Sequence, residues 1–184
     1  MRILCAAPNQ FSVKVRISWE SRKAPLLYPL ESQPRIAVLG PWFREAGTVR
    51  VFRRGWNQES SRFAPQAIAG TWRQLQELAQ NRAAQPTHAV IVIARAGMPL
   101  LSHADREQLW RAFQVPVFEQ IVGVCGKLLA AECEAHDGLH LESEGVTAPG
   151  FLLDQSPCAC GRKTPRLIPE ARAERARAAA AYAR

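Results

Sequence analysis

No stretch of this sequence approaches the roughly 20 consecutive apolar residues that a membrane-spanning helix requires. The apolar cluster Ile3-Leu4-Cys5-Ala6-Ala7 is too short for the core of a secretory signal. Cysteine is sparse as well, five in 184 residues at irregular spacing. Without a signal, that pattern argues against a disulfide framework and for reduced thiols or a metal, with the cytoplasm as the expected compartment. Acidic residues are outnumbered: 16 Asp and Glu stand against 24 Lys and Arg, a net charge of +8. Most of that excess lies between Arg162 and Arg184, in a tail and not on an aromatic-studded face. Only weak, non-specific and salt-sensitive contact with nucleic acid is expected from such a tail. No internal repeat is visible. What remains, 47% hydrophobic and 22% charged residues, is the composition of one globular domain with room for a core.

Two catalytic arrangements are also missing. No Ser/Thr/Gly-rich loop is present to cradle nucleotide phosphates through backbone donors and hydroxyls. Ser102, His103 and Asp105 crowd one helix start, where geometry forbids a hydrolase triad and favours a capping role. His88 precedes an apolar run and has no evident partner. Trp42, Trp56, Trp72 and Trp110 offer aromatic surface, but Trp72 and Trp110 fall on the apolar faces of expected helices and read as core.

Periodicity divides the chain into parts. Residues 12–19 alternate polar and apolar side chains, as do residues 48–53, and 35–40 form a third candidate strand. Prolines at 25, 29, 34 and 41 punctuate the intervening loops. From Gln66 to Arg82, Ile68, Trp72, Leu75 and Ala79 recur at helical spacing and predict an amphipathic helix. His88 to Ala94 is a β-branched apolar run, the mark of a strand buried on both faces. Ser102 opens a helix carrying Leu109, Trp110 and Phe113 inward, and residues 115–118 return to extended structure. Helix, buried strand, helix, strand is the order expected of a parallel sheet with helical crossovers. Hairpin-like segments follow at 127–133, 139–142 and 151–153, with turns at Asp137-Gly138 and Pro149-Gly150. The expected fold is α/β: a small, partly parallel sheet with helical crossovers, a β-rich N-terminal part, and a C-terminal zinc-clipped β-hairpin unit. The expected organisation is one domain over 1–168, divided at 1–64, 65–126 and 127–168. A basic helical tail would follow over 169–184.

The hairpin region carries the candidate site. Cys133 lies in Glu132-Cys133-Glu134-Ala135-His136-Asp137-Gly138-Leu139-His140, and Cys158 and Cys160 lie in Pro157-Cys158-Ala159-Cys160-Gly161-Arg162. Three thiolates and an imidazole are the donors that tetrahedral zinc prefers, and Cys-X-Cys-Gly is a tight turn able to aim both sulfurs inward. The expected metal ligands are Cys133, His140, Cys158 and Cys160, holding a structural Zn2+. His136 competes with His140 for the fourth place, since spacing fits both. Free thiols and a redox disulfide are the other readings of the same cysteines.

These residues resemble the phenylacetate–CoA ligase branch of the adenylate-forming (AMP-binding) enzymes over roughly residues 66–168. The buried strand with its loop Arg95-Ala96-Gly97-Met98-Pro99-Leu100 resembles the family segment that lines the nucleotide pocket. Residues Val115 to Gln120 resemble the strand that leads to the family's Tyr-Gly-X-Thr-Glu motif. Glu132-Cys133 through Asp137-Gly138-Leu139-His140 resembles its Glu-Cys…Asp-Gly-Leu-His segment. Cys158 to Arg166 resembles a Cys-X-Cys-Gly-Arg…Pro-Arg element that completes a zinc site in some members. The family's Thr-Glu pair holds phosphate and magnesium, yet Ile121 to Lys127 contains neither residue. The Tyr-Arg-X-Gly-Asp element is missing, because 17 residues separate His140 from Cys158. The domain carrying the catalytic lysine is absent too. The resemblance therefore implies a truncated, degenerate relative that keeps the scaffold and metal clip without the chemistry. A non-catalytic, zinc-stabilised accessory or interaction protein with a protein partner is the first expectation. A partial acyl- or aryl-CoA ligase subunit that needs a partner chain for ATP-dependent carboxylate activation is the second. A basic zinc module that binds nucleic acid is the third.

Overall fold

A computed structural model describes residues 23–124, 126–171, 173 and 174. The strand expected over 12–19 and most of the expected 169–184 tail lie outside these residues. Among them, the elements run β1 (Ile36–Val38), β2 (Val49–Val51), α1 (Gln58–Arg62), β3 (Ala67–Gly70), α2 (Trp72–Asn81), β4 (Ala89–Arg95) and α3 (His103–Phe113). Then follow β5 (Val117–Val122), β6 (Leu128–Glu132), β7 (Leu139–Leu141), β8 (Phe151–Asp154) and β9 (Arg166–Pro169).

All nine strands join one mixed sheet in the order β2-β1-β3-β4-β5-β6-β7-β9-β8. The first five in that order are parallel neighbours. From β5 onward every pairing is antiparallel. The C-terminal strands are thus not a separate hairpin unit; they prolong the same sheet, and β1 and β2 extend its other end. The architecture is a mixed parallel and antiparallel α/β sheet with few helices. Among the described residues, no helix is long and apolar enough to cross a membrane.

The parallel half is buried on both faces, which explains the unbroken apolar run of β4. On one face, Leu75 and Leu78 of α2 and Leu109 and Phe113 of α3 cover Ile68, Val90 and Val92. On the other, Leu26 and Phe43 from the proline-punctuated segment cover Ile36, Val38, Ile91 and Phe118. A smaller cluster of Ile121, Ala130, Leu139 and Leu167 underlies the antiparallel half.

Three expectations require correction. The helix expected over Gln66–Arg82 begins only at Trp72, and Ala67 to Gly70 form the fully buried strand β3. Four small or apolar residues between strands β1 and β4 gain more from ladder bonds and two-sided burial than from helix propensity. Thr71 then caps α2, its hydroxyl accepting from the Gln74 amide while the Gln74 side chain accepts from the Thr71 amide. Trp110 is half exposed, not core, because Leu109 and Phe113 already fill the inward face of α3. Strand β9 and helix α1 were not expected. Ser102 and Asp105 do form a reciprocal cap at the start of α3. His88 is not without a partner, since its Nδ1 lies 2.9 Å from Thr87 Oγ1.

Candidate metal centre

Two turns bring the four expected ligands together. After β6, the chain reverses at Cys133, where the His136 amide donates to the Cys133 carbonyl at 3.0 Å. Gly138, at φ +98°, sends the chain into β7; a Cβ there would stand 2.5 Å from the Leu167 carbonyl oxygen, so the close approach of β9 depends on glycine. His140 lies in β7 opposite Arg166 of β9. The second turn spans Cys158 to Gly161, closed by the Gly161 amide donating to the Cys158 carbonyl at 2.9 Å, with Gly161 at φ +80°.

The ligating atoms of Cys133, His140, Cys158 and Cys160 all lie within 4.8 Å of one another, the first three residues buried and Cys160 half-buried. Cys133 Sγ and Cys158 Sγ are 3.7 Å apart, and Cys160 Sγ is 3.4 Å from His140 Nε2. Zinc–sulfur bonds of about 2.3 Å and zinc–nitrogen bonds of about 2.1 Å put tetrahedral edges at about 3.8 Å and about 3.6 Å. Those two separations match tetrahedral edges, and four such donors within 4.8 Å of one another could hold a metal ion. His140 Nδ1 lies 3.2 Å from the Thr164 carbonyl oxygen and 3.0 Å from its hydroxyl. A carbonyl only accepts, so the proton sits on Nδ1 and leaves the Nε2 lone pair facing the thiols.

His136 is committed elsewhere. Its ring stacks on Phe118 with centroids 4.5 Å apart, and its Nδ1 is 3.3 Å from Glu132 Oε1. Here the structure separates two residues that sequence spacing left equivalent.

Electrostatics divides the thiols. Burial pushes the Cys133 thiol up, against the opposing hydrogen bond of the Ala135 amide. For Cys158, burial is outweighed by the Cys160 amide and by hydrogen bonds with Cys160, His140 and Cys133, so its thiol is lowered. Donors thus converge on one sulfur, favouring the thiolate that ligates metal. Around the cluster, the buried Arg166 bridges Asp137, at 2.5 Å, and Asp154, at 2.8 Å. Asp154 is held down to about 2: burial raises it, but the Ser156 amide and hydroxyl and the Arg166 guanidinium outweigh that.

A second polar group was not anticipated. Glu119 and Gln120 interrupt the otherwise apolar β5, and that polar pair in an apolar run was the available signal. Glu119 is 2% exposed, its Oε1 accepting from the Leu101 amide at 2.9 Å and its own amide donating to Glu132 Oε2. Burial, with the charge of Glu132 added, pushes its carboxyl up to about 7, against the Leu101 amide and the Arg106 charge. The raised value means that the folded chain holds a proton which the unfolded chain releases. Stability from this group is full below about pH 4.5 and lost as pH rises towards about 7, a change on the order of 3 kcal/mol. Urea titrations of wild type and Glu119→Gln across pH 4–8 should diverge by about that amount; parallel profiles would refute the assignment.

The sequence matches no known family profile, and no curated protein matches it by sequence. Solved structures do match. A 2-hydroxyisobutyryl-CoA ligase in complex with 2-HIB-AMP and CoA, in its thioesterification state, is 15% identical with a TM-score of 0.51; the match covers 76% of this chain and 43% of the ligase. The open conformation of the ligase matches at 15% identity and a TM-score of 0.49, over 72% of this chain and 43% of that one. The chain therefore spans less than half the length of the ligases it matches. In fold, it is similar to part of a CoA ligase of the adenylate-forming type.

Proposed function

We propose that this chain is a zinc-stabilised, non-catalytic accessory or interaction protein, derived from an adenylate-forming ligase of the phenylacetate–CoA ligase-like branch. The observation that carries the reading is the closed donor set of Cys133, His140, Cys158 and Cys160. Four protein ligands complete a tetrahedron and leave no open position for water or substrate, the mark of a structural rather than a catalytic zinc. When bound, the ion would tie the turn after β6 to the excursion between β8 and β9. The connection from β5 to β6 supports the absence of turnover. There the Gly123 amide donates to the Lys127 carbonyl and the Gly126 amide to the Gly123 carbonyl. These amides are spent on the hairpin where the resemblance would place groups for phosphate and magnesium.

Protein purified without chelator should contain about one zinc per chain and show no carboxylate-dependent exchange of pyrophosphate into ATP with aryl or fatty acids. Absence of metal would remove the first half of the reading, and exchange by the isolated chain would remove the second. The partial span of the ligase fold favours one other reading, a ligase subunit that activates an acyl or aryl carboxylate only with a partner chain. Exchange that appears on adding such a chain would establish it.

A further inference from the structure

Lys23 is 8% exposed, yet among the described residues no carboxylate or carbonyl reaches its ammonium. Lysines are almost never buried this deeply unless they are paired. The ammonium nitrogen keeps access to solvent, and the solvent space that Lys23 lines is a cavity of about 480 Å³. Phe43, Arg44, Glu45, Val51 and Arg53 complete the lining. The cavity lies on the face of the sheet opposite α2 and α3, where Phe43 and Val51 pack with Leu26 and Ile36.

The backbone holds Lys23 in place from two sides. The Ala24 amide donates to the Gly126 carbonyl at 3.4 Å, and the Ala24 carbonyl accepts from the Arg44 amide at 3.3 Å. The Lys23 stem packs so closely on Gly126 that a Cβ there would stand 3.3 Å from the lysine Cγ. A cation fixed in this way has already met much of the ordering cost of binding. Glu45 is the one acid on the lining, and its Oε1 accepts from the Val51 amide at 2.9 Å. The exposed Arg44 guanidinium has no partner among the described residues, and Arg53 adds a third cation that makes contacts of its own.

The cavity thus offers a buried ammonium and a guanidinium fork, both uncommitted. A cationic ligand would meet three like charges against one acid, and a neutral apolar one would leave Lys23 buried and unpaired. A carboxylate would neutralise one of the two free cations. A dianionic phosphate would answer both, with oxygens enough for the ammonium and the fork.

We propose that this cavity binds the dianionic phosphate of a free phosphate ion or a small phosphomonoester, held by Lys23 and Arg44. None of the metal ligands takes part, so the proposal stands or falls apart from the zinc reading.

The test is an NMR titration of the full chain with inorganic phosphate, phenyl phosphate and benzoate, with ionic strength held constant by sodium chloride. It is run at about pH 7.5, where a phosphomonoester carries close to two negative charges. Both phosphates should shift the amides of Phe43 and Val51 saturably and bind at least about tenfold more tightly than benzoate. Tighter binding of phenyl phosphate marks a phosphomonoester as the ligand and equal binding marks the free ion; both support the proposal. Lys23→Met keeps an apolar stem without the charge and should weaken phosphate binding by about tenfold or more. Glu45→Gln keeps an acceptor for Val51, removes the opposing charge and should tighten phosphate binding by about threefold. This second variant decides the matter alone if Lys23→Met does not fold. The proposal is overturned if benzoate binds as tightly as phosphate, if Lys23→Met leaves the affinity unchanged, or if Glu45→Gln does not tighten it. It is equally overturned if Phe43 and Val51 do not shift, since phosphate would then be gathering on arginines elsewhere in the chain.

Discussion

Stripping the proposed metal with a strong chelator, or replacing Cys158 with serine, should release residues 127–168 while leaving β3, β4 and β5 intact. The asymmetry follows from how each half is held. Strands β3 to β5 are covered on both faces by clusters that include Leu75, Leu109, Ile36 and Phe43. The antiparallel half rests on a smaller apolar cluster around Ile121, Ala130, Leu139 and Leu167, much of whose surround is only partly buried, and on the cluster at its turns. Metal binding that closes those turns contributes folding free energy directly. Amide hydrogen exchange in β6, β7, β8 and β9 should accelerate by about a hundredfold or more, as local opening replaces global unfolding as the route to exchange. Exchange in β4 should change little. Uniform acceleration throughout the chain, or none at all, would show that the cluster does not hold this half.

The second large effect is expected at Arg166. Its guanidinium is 6% exposed and reaches Asp137 and Asp154, with a further bond to Ser156. Removing one partner of a buried ion pair leaves the others desolvated without compensation, at a cost of roughly 3–5 kcal/mol. Asp137 and Asp154 retain about a fifth of their exposure, at 21% and 22%, so the lower end applies. Arg166→Ala should therefore lose about 3 kcal/mol in urea unfolding. Arg166→Lys should recover little of it, because a single ammonium cannot reproduce the fork that engages two carboxylates. A loss below about 1 kcal/mol would mean that the aspartates find other partners or water. Acid should act in the same direction. Asp154 contributes stability above its unfolded value of about 3.8, which is lost as pH falls towards about 2.

The sequence discloses the fold where periodicity and burial agree. The β-branched run of β4 leaves one interpretation, and the Ser102 and Asp105 pair marks the start of α3. That Cys133, Cys158 and Cys160 come together was legible because Cys-X-Cys-Gly has little use in packing. Strand β3 was not, since Ala67, Ile68 and Ala69 also suit a helix and only neighbours β1 and β4 decide the matter. The choice between His136 and His140 was hidden for a related reason. Both follow Cys133 closely in sequence, and they are told apart by Phe118 and Thr164, which come from other elements. Glu119 shows in the sequence only as half of a polar pair in an apolar run; its partner, the Leu101 amide, comes from another part of the chain.

Strands β7 and β9 are direct neighbours in the sheet, although residues 142–165 lie between them in the chain. That excursion leaves and returns at nearly the same place, carrying β8, Cys158 and Cys160 with it. Loop-closure entropy rises only logarithmically with length, about 0.6 kcal/mol for each doubling. Residues 142–150, between β7 and β8, are mostly exposed or half-exposed. The chain can therefore be lengthened or shortened in that stretch at small thermodynamic cost without moving the register of β7 on β9. Large differences in length between relatives of this fold are physically inexpensive there, and a reporter peptide or affinity tag inserted at that point should leave the rest of the sheet undisturbed.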